Sequence, residues 1–411
     1  MLLYEFFKNG RVKRYCFPIS ILIFLILEGL LIFAKISPYE NKISSLIGIW
    51  EGFAEINPYL VDPGFVVFRS GGYDGQFFYF LAKSMFTDTN WDLILDSYFF
   101  RLHRIGMSFF LGILSHLFGF VNYPFIAILT LTFLFLFSVW ALYRLLPEDK
   151  KILSLFYLFS PFTMNSNLLL VADGLFTSFL VIGIYFHFRK KPSYLISAFF
   201  LLLAVFTREL GAIALISLAA YHITNKNYRL SLYFLFPLAA FLCFLAWTRT
   251  ISPNHLGTNP LGFTDMVDLP LFGFVKSFYD EGVFHLSGKE AVKLILFLQF
   301  FAVSLYCTHL TYKKVRNSSS LVSLIKDQEW ILILPILASL GVILFAEQGY
   351  WRSFDNLSRM FTMILPLFLL LHSLKQNLFS RFFLGSGILL FLFLILRITW
   401  ITSGKEYYLS P

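Results

Sequence analysis

Residues 16–35 read CFPISILIFLILEGLLIFAK and follow a basic flank of Lys8, Arg11, Lys13 and Arg14. About 20 apolar residues match the hydrocarbon thickness of a bilayer. The run is too long for a signal-peptide core and lacks a small-x-small cleavage site, so it predicts a retained helix that starts on the cytoplasmic side. Working outward, further apolar segments lie at about 104–120, 122–145, 152–170, 172–188, 193–206, 209–223, 230–249, 291–311, 331–346, 358–373 and 382–401. Several are too short to cross a membrane alone. The expectation is a single all-α polytopic membrane domain over residues 1–411, a bundle of about 10–12 transmembrane or re-entrant helices.

Composition agrees. The chain is 58% hydrophobic and 14% charged with 53 phenylalanines, and its mean hydropathy is +0.72. A net charge of +9 would point to nucleic acid in a soluble protein. Here the basic residues cluster between apolar runs and serve as topology signals, so no nucleic-acid partner is expected. Cys16, Cys243 and Cys307 are widely separated, which indicates neither a disulfide framework nor a zinc site.

The clusters Arg189-Lys190-Lys191, Lys226 with Arg229, Lys313-Lys314 with Arg316, and Lys375 with Arg381 belong inside by the positive-inside rule. The opposite, non-cytoplasmic face then receives a long first loop, about 36–103, and a second large loop, about 250–290. It also receives Asp173, the Thr207-Arg208-Glu209-Leu210-Gly211 break and residues 346–358. Parity requires one segment between 104 and 170 to be re-entrant or interfacial, and the segment starting at Arg104 is the candidate. Segments 193–206 and 209–223 form a V whose apex, Arg208-Glu209, points at that face.

The first loop far exceeds an ordinary helix connection, and long loops usually carry function. It holds Gly71-Gly72-Tyr73-Asp74-Gly75-Gln76-Phe77-Phe78-Tyr79. Asp74 is the candidate catalytic carboxylate, with Tyr73 and Gln76 as candidate substrate contacts; the plain alternative is a turn residue, since Asp-Gly is ordinary loop chemistry. Arg101 and Arg104 share a helical face at i,i+3, as phosphate ligands or as snorkelling anchors. Asp173 opens a helix, where the dipole favours an acid with or without chemistry. Arg208 and Glu209, both candidate substrate contacts, are sequence neighbours that point apart, so each needs its own partner. Arg352 and Arg359, seven apart, would share one helical face, with Asp355 between them as a counter-ion.

Ionisable groups near a membrane are retained mainly for function or pairing. Arginines suited to bidentate phosphate recognition gather with one or two carboxylates on one face of a lipid-embedded bundle. That combination suits a lipid-linked phosphate, with a carboxylate taking the acceptor proton as charge grows on the departing phosphate.

The order of these features resembles the GT-C glycosyltransferases: one helix, a long outer loop with an early Asp, a second acid about 100 residues on, and a bundle of short helices. Tyr73-Asp74-Gly75-Gln76-Phe77-Phe78-Tyr79, Arg101 with Arg104-Ile105, Ala172-Asp173-Gly174-Leu175 and Thr207-Arg208-Glu209-Leu210-Gly211 look like a bacterial subgroup linked to cell-surface glycopolymers. The resemblance implies hexosyl or pentosyl transfer from a polyprenyl-phosphate sugar to a glycan, lipid or other acceptor. It places the enzyme in the bacterial inner (plasma) membrane, a multi-pass protein acting on the non-cytoplasmic side. Asp74 would be the general base or hold the acceptor hydroxyl, and Asp173 the second acidic position. Among the arginines, Arg208, Arg352 and Arg359 stand where the donor-phosphate ligands are expected. No cofactor is certain; a divalent metal is left open because its use varies across that superfamily. Gly106-Met107 replaces an expected proline, and the absent Asp-Glu pair makes protein O-mannosylation the weaker reading. Residues of the second loop, Asn254, His255, Asp265, Asp268, Asp280 and Glu281, stand ready to define the acceptor.

The main alternative is a transporter or flippase of lipid-linked saccharides, which would call for paired repeats with broken midplane helices; no such duplication is visible. An O-acyltransferase would want a partnered catalytic His, and His103, His116 and His187 are scattered.

Overall fold

The computed structural model describes residues 10–87, 95–251, 267–280, 283–284, 288–318, 325–401 and 404–411. Lys8, Asn254, His255, Asp265 and Glu281 lie outside these residues, as does the side chain of Asp280. Asp268 pairs with Lys276 at 3.1 Å.

The chain is about 78% helical with almost no sheet. Among the described residues five helices are long and apolar enough to cross a membrane: Tyr15–Tyr39, Phe120–Leu145, Tyr228–Thr250, Ala291–Arg316 and Leu378–Ile401. A sixth span arises if Phe354–Met360 and Ile364–Leu374, bent by 44°, count as one. Large apolar side chains cover their outer faces, with Leu22 58%, Phe133 69% and Phe236 71% exposed. A water-facing surface does not sustain so continuous an apolar coat, and a lipid-facing one requires it. The protein is therefore built as a multi-pass membrane protein. Five further apolar helices, Ile105–Phe118, Ala172–Phe188, Tyr194–Thr207, Gly211–Thr224 and Trp330–Leu344, are shorter.

The bundle has two chemically distinct ends. At one, Phe17 stacks on Tyr143 at 4.2 Å, and His187, Tyr194, His222 and Phe234 form an aromatic cluster. There Lys314 pairs with Asp327 and, at 2.9 Å, with Glu329, which also takes Lys375 at 3.1 Å. At the other end the first helix finishes with Lys35 donating to the Leu168 carbonyl at 2.5 Å. All the paired carboxylates and arginines described below gather at this second end.

Helix Ile105–Phe118 keeps both of its ends on that second side. It starts beside Arg104, which binds Glu209, and finishes five residues before Tyr123, whose ring meets Tyr79 of the first loop at 5.1 Å. Along its length Gly112 lies so close to Phe86 that a Cβ would sit 2.6 Å from the ring. The segment beginning at Arg104 is thus the one that does not traverse the bundle.

The first loop is structured over its described residues. It folds into short helical turns, two strands and the helix Gly75–Phe86. Strand Val66–Phe68 pairs in parallel with Ile49–Trp50 and antiparallel with the C-terminal strand Tyr407–Leu409, in register Val66 to Leu409. A three-stranded sheet thereby ties the end of the chain to its first loop, a contact outside the all-helical expectation.

Candidate active site

The glycines of the 71–75 turn set the position of Asp74. A Cβ on Gly72 would fall 2.2 Å from the Gly48 carbonyl oxygen, and one on Gly75 would fall 2.6 Å from that of Ile47 and 2.9 Å from that of Leu169. Only glycine lets the turn lie this close to both backbones. The Tyr73 N–H donates to the Gly48 carbonyl at 2.8 Å, and the Trp50 N–H donates to Gln76 Oε1 at 2.9 Å. Gln76 is buried and splints the turn; it does not line the cleft, so its side chain is structural where the sequence marked it for substrate.

Asp74 sits immediately before helix Gly75–Phe86, on the wall of a cleft of about 240 Å³ that is also lined by Phe100, Arg101, Arg104, Arg208 and Arg359. Its carboxylate is divided between two guanidiniums: Oδ2 lies 2.7 Å from Arg359 Nη1 and Oδ1 lies 3.2 Å from Arg101 Nη1. Burial raises the carboxyl's affinity for a proton, but Arg359 and then Arg101 outweigh it and hold Asp74 well below the usual carboxylate range.

Arg359 is shared. Its Nε donates to Asp173 Oδ2 at 2.8 Å, and Asp173 in turn pairs with Arg208. Asp173 is within the first turn of Ala172–Phe188, and only 2% of its side chain is exposed. It stands behind the arginines, outside the cleft lining, so the two acids of the sequence reading meet through Arg359 but face different surroundings.

The apex of the V forms as the spacing requires. Helices Tyr194–Thr207 and Gly211–Thr224 meet at Arg208 and Glu209, and the two side chains part: Arg208 to Asp173, Glu209 to Arg104. Arg104 donates to both Glu209 oxygens, at 3.2 and 2.9 Å, the bidentate geometry that guanidinium favours. Burial works against the ionised Glu209, yet Arg104 prevails and lowers its pKa to about 2. Arg104 stacks 4.3 Å from the Phe100 ring centroid and Arg101 3.9 Å from that of Phe77, which fixes both planes by cation–π attraction.

Tyr73 closes one side. Its hydroxyl donates to Asn356 Oδ1 at 3.1 Å and accepts from Arg359 Nη1 at 3.3 Å. Burial pushes the phenol above its usual range despite Arg359, so it stays a proton donor.

Arg352 does not join the site. Ser353, at φ −119 and ψ 131, breaks the helix between Gln348–Arg352 and Phe354–Met360. The seven-residue spacing to Arg359 therefore spans two helices rather than one face, and Arg352 lines a separate cavity with Lys293 and Trp351. Asp355 is the counter-ion of Arg397, which it meets through two guanidinium nitrogens.

Several contributors were missed by the sequence reading. Asp96 holds Arg101 through two bonds, at 2.9 and 2.5 Å; its position five residues before Arg101 was the available signal. Asn356, Glu347 and Tyr350 come from the 346–358 stretch, already placed on this face but without assigned roles.

A divalent cation does not fit this donor set. Asp74, Asp173 and Glu209 each spend their oxygens on arginines, and a cation beside Asp74 would stand against Arg101 and Arg359. Among the described residues no group of three His, Cys, Asp or Glu side chains is placed to hold a metal. Compared with protein-family models, curated proteins and solved structures, the chain finds no match.

Proposed function

We propose that this protein is a membrane glycosyltransferase that moves a sugar from a polyprenyl-phosphate donor to a hydroxyl-bearing glycan or lipid acceptor at the non-cytoplasmic face. The observation that carries the reading is Asp74: an exposed-edge carboxylate held between Arg101 and Arg359 in a cleft lined by four arginines. The basic clusters at the opposite end of the bundle support the orientation by the positive-inside rule. Eleven passes then follow. They comprise the five long helices, the bent pair, the four short helices other than Ile105–Phe118, and the broken run 148–168.

In the reaction the donor phosphate engages the cleft arginines Arg101, Arg104, Arg208 and Arg359. The acceptor hydroxyl hydrogen-bonds to Asp74. Its oxygen forms the new bond to the anomeric carbon while the bond from that carbon to the phosphate oxygen breaks. The bonding pair leaves on the phosphate, where the guanidiniums stabilise it, and the hydroxyl proton passes to Asp74. Asp173 positions Arg359 and Arg208 from behind and touches neither substrate.

The test is glycan and lipid mass profiling of cells lacking the protein, complemented with wild type or Asp74→Asn. Wild type should restore a missing sugar, and Asp74→Asn, expressed at equal level in the membrane, should not. Restoration by Asp74→Asn would overturn the proposal.

A further inference from the structure

Behind Tyr73 lies a second pocket, of about 190 Å³, that shares no cation with the arginine cleft. Three cationic side chains line it, Lys35, Arg397 and Lys405, against one carboxylate, Asp355. Arg397 is committed to Asp355, which Asn165 also holds at 3.1 Å. The two ammonium groups donate to backbone carbonyls, Lys35 to Leu168 at 2.5 Å and Lys405 to Gly71 at 3.2 Å, and Lys405 also lies 5.9 Å from the Phe68 ring centroid. Carbonyls orient an ammonium without neutralising it, so the pocket keeps an excess of positive charge.

A groove of about 290 Å³ is lined by carbon-rich residues such as Phe156, Phe159, Phe162, Leu384, Ile388 and Phe391. Pocket and groove lie on the same two elements. Helix Pro161–Leu168 gives Phe162 to the groove and Asn165 to the pocket. The C-terminal helix gives Leu384, Ile388 and Phe391 to the groove and Ile398 to the pocket. Spacings of four and three keep Leu384, Ile388 and Phe391 on one helical face. From Phe391 to Arg397 the rise is about 9 Å, and over Arg397–Ile401 the helix widens to π geometry. A basic pocket at the end of the bundle and an apolar groove at membrane depth thus line the same pair of helices.

We infer that the seam of these helices binds a bilayer lipid bearing a phosphate, its headgroup between Lys35 and Lys405 and its chain in the groove between the C-terminal helix and residues 155–162. The charge excess selects an anion and the apolar groove selects a chain, and both are lined by the same two helices. Tyr73 is the wall between this lipid and the arginine cleft, since it lines the pocket on one side and bonds to Arg359 on the other. The site does not depend on sugar transfer.

The probe is phosphatidic acid with a photoreactive diazirine in its acyl chain, applied to the purified full chain in detergent with peptide mapping of adducts. Adducts are expected on residues 155–162 and 383–391. Labelling should fall about tenfold or more in Lys35→Gln/Lys405→Gln, each tenfold corresponding to about 1.4 kcal/mol. Gly387→Phe should block the groove, because Gly387 lines it and a Cβ there meets nothing within 4 Å. Asp74→Asn should keep the adducts while losing transfer, which separates this inference from the proposed reaction. Adducts confined to other segments, labelling unchanged in both seam variants, or competition by inorganic phosphate as strong as by unlabelled phosphatidic acid would each overturn it.

Discussion

Replacing Asp173 with Asn should unfold the site more than replacing Asp74 with Asn, although only Asp74 faces the cleft. Asp173 has 2% of its side chain exposed and bridges Arg208 and Arg359. Its neutralisation leaves two buried guanidiniums short of one anion, and breaking a buried pair from one side costs about 3–5 kcal/mol. Asp74 has 27% of its side chain exposed, so water screens the loss and roughly 1–2 kcal/mol is expected. Large membrane proteins commonly unfold irreversibly, so the comparison is made as apparent Tm at one scan rate and one detergent. Asp173→Asn should show clearly the lower Tm, while Asp74→Asn stays near wild type and loses transfer. Equal destabilisation by the two variants would make Asp74 a structural ion-pair partner, and a wild-type Tm for Asp173→Asn would refute the charge bridge.

Arg104→Lys keeps the charge but loses the two-pronged fork; the donor KM should rise about tenfold in a folded protein, and an unchanged KM would remove Arg104 from phosphate binding. Gly75→Ala forces a methyl against the Ile47 and Leu169 carbonyls; about 1–3 kcal/mol of stability should be lost, read as a lower Tm, and no loss would show that the turn has slack. Glu209 has its folded pKa lowered from 4.5 to about 2, so the unfolded chain binds the extra proton between those values. Its stabilisation is full above about pH 4.5 and fades as pH falls toward 2. Glu209→Gln should flatten that acid limb of the Tm–pH curve, and an identical limb would refute the pairing.

The long helices were legible because hydrophobic runs are local and bilayer thickness fixes their length. The stationary segment at Arg104 followed from parity, and the separate partners of Arg208 and Glu209 followed from their adjacency. What escaped notice is non-local. Asp355 pairs with Arg397, 42 positions away, and Lys35 with Leu168, 133 away; no periodicity marks such contacts. Arg352 was misplaced because i,i+7 reasoning presumes an unbroken helix, and the extended Ser353 interrupts it. Gln76 looked like a ligand because an amide in a glycine-rich turn serves substrate and backbone equally well by composition. Here Trp50, brought alongside by Gly72, takes it.

The charge balance of the cleft implies an order of events. Arg101, Arg104, Arg208 and Arg359 are each already paired with Asp74, Asp96, Asp173 or Glu209 before any ligand enters, and Glu347 adds a further carboxylate to the cleft wall. An incoming phosphate must therefore take a guanidinium from a carboxylate. For Arg359 the carboxylate that yields is Asp74, since Asp173 is buried behind it. While Arg101 and Arg359 hold Asp74, its proton affinity is too low for a base; once they turn to phosphate, that depression relaxes and Asp74 becomes able to accept a proton. In the proposed reaction the base is thus activated by the donor, and an acceptor arriving first meets a carboxylate still occupied by arginine. Steady-state kinetics should be ordered, with donor before acceptor, and acceptor binding should strengthen about tenfold or more when donor is present, each tenfold being about 1.4 kcal/mol of coupling. Random-order kinetics with equal acceptor affinity in both states would show that the arginines and Asp74 act independently.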